Sequence, residues 1–175
     1  TGVQTCLFRS DEHFSVGMDL KQLNSGSAGR GGVEAVLDQR LRVLSMIEQL
    51  DKPVIATMFG YCLGGGLELP LACHFRFAAL EGARIGLPEL DLGTVPAWGG
   101  TARLTRTVGR AHALDMILRA KKIDGPTALA IGLVHEVHPL AELKYRFLRW
   151  KIARARSRFD VHTGGRSGDW DRRLH

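Results

Sequence analysis

Cysteine is scarce in this chain, and long apolar runs are missing. The 175 residues include three cysteines, Cys6, Cys62 and Cys73, and none of them forms a CxxC pair. An odd number of separated cysteines argues against a closed disulfide framework, so we expect a reducing, cytoplasmic compartment. No apolar run approaches the roughly 20 residues that a membrane-spanning helix needs, and we therefore expect no membrane partner.

Acidic residues are rare at one end of the chain. Residues 144–175 hold 10 of the 24 Lys and Arg but 3 of the 18 Asp and Glu, which leaves 14 basic and 15 acidic residues for residues 1–143. The formal charge of +6 comes from this non-periodic end. We expect residues 144–175 to be a non-native or disordered tail, and their charge is therefore not interpreted as a nucleic-acid site. Residues 1–10 are also expected to be non-native, which leaves a partial core domain within residues 1–143.

The hydrophobic pattern predicts alternating helices and strands. Apolar residues recur at three- and four-residue steps from Val33 to Leu50 and predict a helix that Pro53 ends. The run from Val54 to Phe59 is short, apolar and β-branched at its start, which predicts a strand buried on both faces. Further helices are predicted at residues 67–73, 101–108, 111–120 and 125–131, the last with Asp124 as N-cap, and strands at 75–79, 83–86 and 133–137. This alternation predicts an α/β fold with crossover connections.

Three consecutive glycines, Gly64 to Gly66, lie between a predicted strand and a predicted helix. Free N–H groups and the macrodipole at a helix N-terminus favour negative charge, and glycine lets a ligand carbonyl approach the backbone closely. Neither a P-loop ending nor a dinucleotide fingerprint is present, so an enolate or other oxyanion is the predicted ligand. The alternative is that the glycines form a tight turn and bind no ligand. Glu68 lies one helical turn after Gly65, which would place a carboxylate near a carbonyl held by the Gly65 N–H.

Several ordered motifs resemble the enoyl-CoA hydratase (crotonase) family. They are FSVGMDL from Phe14, KPVIA from Lys52, GYCLGGGLEL from Gly60, GLPEL from Gly86 and LGTVPAWGGTARL from Leu92. The resemblance covers about residues 12–143 and implies a spiral of repeated ββα units, incomplete at both ends. It also implies no metal and no redox cofactor, coenzyme A as the carrier part of an acyl-CoA substrate, and a homotrimer or a hexamer of stacked trimers as the parent assembly.

The resemblance also assigns the residues of the site. It gives the two oxyanion-hole N–H groups to Met18 and Gly65, and it places Glu68 and Glu89 where the hydratases have their two water-holding glutamates. Contacts with substrate or coenzyme A are implied for Val16, Asp19, Leu20, Lys21, Gly64 and Pro88. Addition of water needs activation at Cβ and a proton at Cα, with the enolate stabilised between these events.

The presence of both glutamates favours hydration of a trans-2-enoyl-CoA to a 3-hydroxyacyl-CoA. Many relatives that isomerise, decarboxylate or hydrolyse keep the oxyanion hole and lose one of the carboxylates. Two alternatives remain open: isomerisation or dehydration of a specialised acyl-CoA on the same fold, and a non-catalytic fragment that binds acyl-CoA.

Several other residues are candidates for a role in the site or for disturbing it. Trp98 either narrows the acyl pocket or packs in the core, and Pro70 is expected to kink or shorten the helix that carries Glu68. Cys62 has no neighbouring His or Lys to lower its pKa and is not predicted to be a nucleophile. His135 and His138 do not form an HExxH motif, and on a strand their side chains would point to opposite faces, so we predict no metal site there.

Overall fold

The computed structural model describes residues 4–5, 12–18 and 32–143, all within one compact unit, Thr1–Leu143. Residues 144–175, predicted to be a non-native tail, lie outside the described residues. Of residues 1–10, only Gln4 and Thr5 are described, so the predicted status of both ends stays a prediction.

The described elements alternate between strands and helices. The strands are β1 (Gln4–Thr5), β2 (Val54–Met58), β3 (Tyr61–Leu63), β4 (Phe75–Ala79), β5 (Arg84–Gly86) and β6 (Glu136–His138). The helices are α1 (Gly32–Glu48), α2 (Gly65–Ala72), α3 (Gly100–Leu118) and α4 (Gly125–Ala130), and a short 3₁₀ helix spans Glu89–Leu92. None of the helices in these described ranges is long and apolar enough to cross a membrane.

Two sheets are built from a repeated ββα unit. One sheet has the strand order β1-β2-β4-β6 and the other pairs β3 with β5, and every pairing is parallel. Parallel neighbours need crossover connections. The chain supplies them by running β2-β3-α2 and then β4-β5-α3, so that the first strand of each unit joins one sheet and the second joins the other. The predicted α/β class and the ββα spiral are confirmed.

The central strand β2 forms the middle of the core. All five of its residues are buried, and its neighbours on the two sides are β1 and β4. Ile55 and Met58 have no exposed surface. The prediction of a strand buried on both faces is confirmed, because a strand between two parallel neighbours and covered by helices has no solvent-facing side.

Two sequence-based assignments need correction. The strand predicted at residues 133–137 is β6, Glu136–His138. The apolar pair Leu133 and Val134 is buried in a turn instead, because both N–H groups donate to the Ala128 carbonyl at the end of α4. The sequence pattern does not predict strand β3, whose three residues lie directly before the three glycines. The predicted break at Gly109 is confirmed by its non-helical φ of 77° and ψ of 165° inside α3.

Helix α2 continues past Pro70 to Ala72. Proline removes the N–H that would bond to the carbonyl four residues earlier, which here belongs to Gly66. The thiol of Cys62 donates to that carbonyl at 3.4 Å and so replaces the missing helical partner. Glu68 therefore keeps its place one turn after Gly65, and the expected disturbance of that turn by Pro70 does not occur.

Buried Arg76 holds the C-terminal end of α2. Its Nη1 donates to the carbonyls of Cys73 at 2.8 Å and Pro70 at 3.5 Å, and its Nε donates to the Leu133 carbonyl at 2.7 Å. A cation at this end of a helix also interacts favourably with the macrodipole. Arg76 therefore joins α2 to the turn before β6.

Candidate active site

Each glycine of the triple run has a different neighbour where a side chain would otherwise be. A Cβ at Gly64 would lie 3.1 Å from a carboxylate oxygen, and a Cβ at either of the other two positions would collide outright. The neighbours are the Glu89 carboxylate for Gly64, the Trp98 indole for Gly65 and the Ser15 backbone for Gly66. The run thus lets three segments, distant in sequence, reach the backbone at the start of α2.

The segment from Ser15 to Met18 is held beside this helix start. The Ser15 carbonyl accepts from the Leu63 N–H at 2.9 Å, and the Ser15 hydroxyl oxygen accepts from the Gly17 N–H at 3.2 Å. Gly17 has a φ of +93°, and a Cβ there would lie 3.5 Å from the Gly65 nitrogen. Only glycine fits this turn without strain, and the turn leads directly into Met18.

The backbone N–H groups of Met18 and Gly65 have no hydrogen-bond acceptor among the described residues. For Gly65 this follows from its place in the first turn of α2, where N–H groups lack intrahelical acceptors. The macrodipole adds partial positive charge at the same point. The structure brings these two sequence-predicted residues to one place, and such an arrangement is chemically suited to an anionic oxygen.

Glu68 is buried at the N-terminus of α3. It is 2% exposed, and its Oε1 accepts from the N–H groups of Trp98 and Gly100, each at 2.8 Å. Burial raises the pKa of Glu68, while these two N–H donors and the charge of Arg103 lower it in part. A Cβ at Gly100 would lie 2.6 Å from the same oxygen, so this position requires glycine for the carboxylate to sit where it does.

Glu89 begins the 3₁₀ helix and lies against Gly64. The pKa of Glu89 is raised to about 7, mainly by burial and also by the negative charge of Glu68. Its Oε2 is buried without a hydrogen-bond partner among the described residues. A half-buried carboxyl with a pKa near neutrality can exchange a proton at physiological pH, which is the property that a general acid or base requires.

The remaining sequence-predicted residues are only partly described. Val16 is exposed, and Pro88 caps the 3₁₀ helix, where its carbonyl accepts from the Asp91 N–H at 3.1 Å. Gly64 directly precedes α2, which carries Glu68, and lies against the Glu89 carboxylate. It adopts a φ of +56°. Asp19, Leu20 and Lys21 lie outside the described residues. The assigned contacts of this whole set with substrate or coenzyme A stay predictions.

The other polar candidates have structural partners. The Cys62 thiol is fully buried, and burial raises its pKa, which disfavours the reactive thiolate. His135 accepts from the Arg76 N–H through Nδ1 at 3.1 Å, and His138 Nε2 lies 2.6 Å from the Glu136 carboxylate. The two histidines thus have separate partners, and neither of these partners is Glu68 or Glu89.

Sequence reasoning missed two parts of the site. The Trp98 and Gly100 N–H groups that bond to Glu68 belong to the backbone, so no side-chain motif predicts these hydrogen bonds. Arg40 on α1 lies with its guanidinium carbon 4.2 Å from the centroid of the Trp98 ring, and its Nη1 lies 2.8 Å from the Met18 sulfur. No sequence signal near Arg40 connects it with residues that follow it by more than fifty positions.

Comparisons with known proteins show the family to which the chain is similar. Residues 6–158 match the enoyl-CoA hydratase/isomerase family model, and the match continues past Leu143, where the predicted core ends. A protein of Bacillus subtilis (strain 168) named "Probable enoyl-CoA hydratase" is 42% identical over 134 residues, which are 76% of this chain and 51% of that protein. The fatty acid oxidation complex subunit alpha of Shewanella baltica (strain OS185) is 44% identical over 129 residues, 73% of this chain and 18% of that subunit.

Solved structures show the same fold. An enoyl-CoA hydratase from Bacillus anthracis superposes with a TM-score of 0.80 at 35% identity, covering 89% of this chain and 59% of that one. The chain spans about half the length of the Bacillus subtilis relative. Because the family model matches residues 6–158 and the two parallel sheets are wound from ββα units as in these solved structures, the chain belongs to the enoyl-CoA hydratase/isomerase (crotonase) family.

Proposed function

We propose that this chain carries the active site of an enoyl-CoA hydratase, which adds water to a trans-2-enoyl-CoA and forms a 3-hydroxyacyl-CoA. The observation that carries the proposal is the pair Glu68 and Glu89, electrostatically coupled and placed beside two N–H groups that have no acceptor among the described residues. The names of the Bacillus relatives and of the Shewanella subunit support hydration within fatty acid oxidation. Coenzyme A is the carrier part of the substrate in this proposal.

The first step that we assign is binding of the thioester oxygen by the N–H groups of Met18 and Gly65. Addition at Cβ moves electron density onto this oxygen and produces an enolate. Preorganised backbone donors stabilise such a charge without reorganising during the reaction. Loss of a single donor of this kind typically costs about 10²- to 10³-fold in turnover.

The two glutamates differ in ways that suit different roles. Glu68 accepts two backbone hydrogen bonds through Oε1, so its carboxylate is fixed and can orient and activate a water molecule. Glu89 has a pKa of about 7 and can carry a proton. We assign the water's hydroxyl to Cβ and a proton from Glu89 to Cα, after which Glu89 recovers a proton from the same water.

The proposal is tested by replacing each glutamate with glutamine. Loss of enoyl-thioester absorbance is followed with crotonyl-CoA, both for the chain itself and for the chain placed between the flanking segments of the Bacillus subtilis relative. Glu68→Gln and Glu89→Gln are each expected to lower turnover about 10²- to 10⁴-fold. The matched control is Glu142→Gln, an exposed glutamate outside the site, and it is expected to change nothing. Wild-type turnover in Glu68→Gln would refute the assignment, and a product with a shifted double bond would favour an isomerase.

A further inference from the structure

The side chains of Met18, Arg40 and Trp98, which come from three separate segments, meet beside the residues predicted to supply the two oxyanion donors. The Trp98 indole occupies the space that a Gly65 side chain would fill. The Arg40 guanidinium lies 4.2 Å from the centroid of that indole and 2.8 Å from the Met18 sulfur. Each residue that is predicted to supply a donor therefore lies against one member of this stacked pair, Met18 against Arg40 and Gly65 against Trp98.

The Trp98 ring is held from several directions. Its own N–H is bonded to Glu68, and its carbonyl accepts from Arg103 Nη1 at 2.7 Å. Arg103 is in turn fixed by Glu48 through hydrogen bonds of 2.7 and 3.0 Å. With its backbone fixed in this way, a cation stacked on its face and its ring edge against Gly65, the indole has little freedom to move aside.

We infer, on the basis of the proposed function, that the Trp98 indole is the wall that confines the acyl pocket to short acyl chains, and that Arg40 is the residue that positions this wall. A thioester oxygen bonded to the Gly65 N–H brings its carbonyl carbon next to the residue that the ring edge contacts. In this proposal the acyl group leaves the carbonyl on the side of the indole. On the neighbouring glycine, Gly64, the adjacent side chain is Glu89, so the wall and the proton carrier lie against successive residues.

The test compares the binding of two saturated thioesters, butyryl-CoA and decanoyl-CoA, to the full chain by calorimetry. The wild-type chain is expected to bind butyryl-CoA at least as tightly as decanoyl-CoA. Trp98→Ala is expected to shift the ratio of the two dissociation constants by about tenfold or more in favour of decanoyl-CoA, because a single methylene in an apolar pocket already changes discrimination by about 10- to 200-fold. Trp98→Phe keeps an aromatic wall and is expected to keep most of the wild-type preference.

Arg40 is tested through its dependence on Trp98. Arg40→Met is expected to shift the ratio in the same direction by a smaller factor, and Arg40→Lys to shift it less than Arg40→Met. In the Trp98→Ala background, Arg40→Met is expected to add nothing, because a residue that acts through Trp98 has no effect without it. An equal shift in both backgrounds would overturn the positioning role.

Each failure has a distinct meaning. If a folded Trp98→Ala chain binds both thioesters with the wild-type ratio, the wall is assigned wrongly and the proposed function is untouched. If the wild-type chain prefers decanoyl-CoA strongly, the confinement to short chains is wrong. If neither the chain nor the chain completed with the Bacillus subtilis relative's flanking segments binds either thioester, both the proposed function and this inference are overturned.

Discussion

Gly100→Ala tests whether the position of the Glu68 carboxylate controls the chemistry. The variant keeps the N–H that bonds to Glu68 and adds one methyl group, which would lie 2.6 Å from the carboxylate oxygen. Gly100 begins α3, and its φ is not in the left-handed region, so alanine fits the backbone there. The change therefore separates the position of the carboxylate from the hydrogen bond that holds it.

The expected size of the effect follows from the required movement. An ordinary contact between a Cβ and an oxygen is about 3.4 Å or longer, so the carboxylate must retreat by nearly 1 Å. A misplacement of about 1 Å can cost about 10²-fold in rate, and we expect a loss of that order in the hydration of crotonyl-CoA. Stability is expected to change by about 1 kcal/mol or less, because alanine is the better helix former and offsets part of the strain.

The assay is turnover with crotonyl-CoA beside the free energy of unfolding measured with urea. Thr101→Ala is the matched control, since Thr101 is the next residue of α3 and is exposed. It is expected to keep wild-type turnover. If Gly100→Ala also keeps wild-type turnover while remaining folded, the geometry of Glu68 does not control the reaction and the reasoning is wrong.

Two further predictions concern stability. The pKa of Glu89 is raised from 4.5 to about 7, so the stability that depends on its protonated form is fully present below pH 4.5 and is lost as the pH rises through about 7. Glu89→Gln is expected to stabilise the fold at pH 8 by about 1–2 kcal/mol, less than the full shift would give because solvent screens a half-exposed carboxylate, and to have little effect at pH 4. Urea unfolding measures both values, and an equal effect at the two pH values would contradict the assigned cause. Arg76→Met removes the guanidinium hydrogen bonds to the carbonyls of Cys73, Pro70 and Leu133, of which the Pro70 carbonyl keeps the Cys73 N–H as a donor. The variant is expected to destabilise the fold by about 2 kcal/mol or more, whereas the exposed Arg119→Met is expected to cost less than about 1 kcal/mol. Equal midpoints for the two arginine variants would show that Arg76 does not hold α2 to the turn before β6.

The sequence was sufficient where a local pattern decides the structure. The three- and four-residue spacing from Val33 to Leu50 predicted α1, and the apolar run from Val54 predicted the central strand, because burial on one stripe or on both faces leaves a direct trace in the order of residues. The glycines before Glu68 also predicted a helix start with accessible N–H groups, since only glycine permits such close approach of other segments.

The parts that sequence reasoning missed depend on contacts between distant residues. Leu133 and Val134 look like a strand, yet their N–H groups close the end of α4, and only the folded chain shows which partner those groups find. Arg40 reaches Trp98 across fifty-eight positions in sequence. Pro70 looked disruptive because the thiol that compensates for its missing N–H lies eight residues earlier, outside the helix itself.

The central claim, hydration of an enoyl-CoA, is tested most directly by identifying the product that crotonyl-CoA gives in D₂O. The product is identified by mass spectrometry for two samples: the chain itself, and the chain completed with the flanking segments of its Bacillus subtilis relative. Addition of water across the double bond by Glu68 and Glu89 predicts 3-hydroxybutyryl-CoA that carries one deuterium at Cα. Unchanged crotonyl-CoA with the completed protein, or a product in which the double bond has moved and no oxygen has been added, would contradict the account.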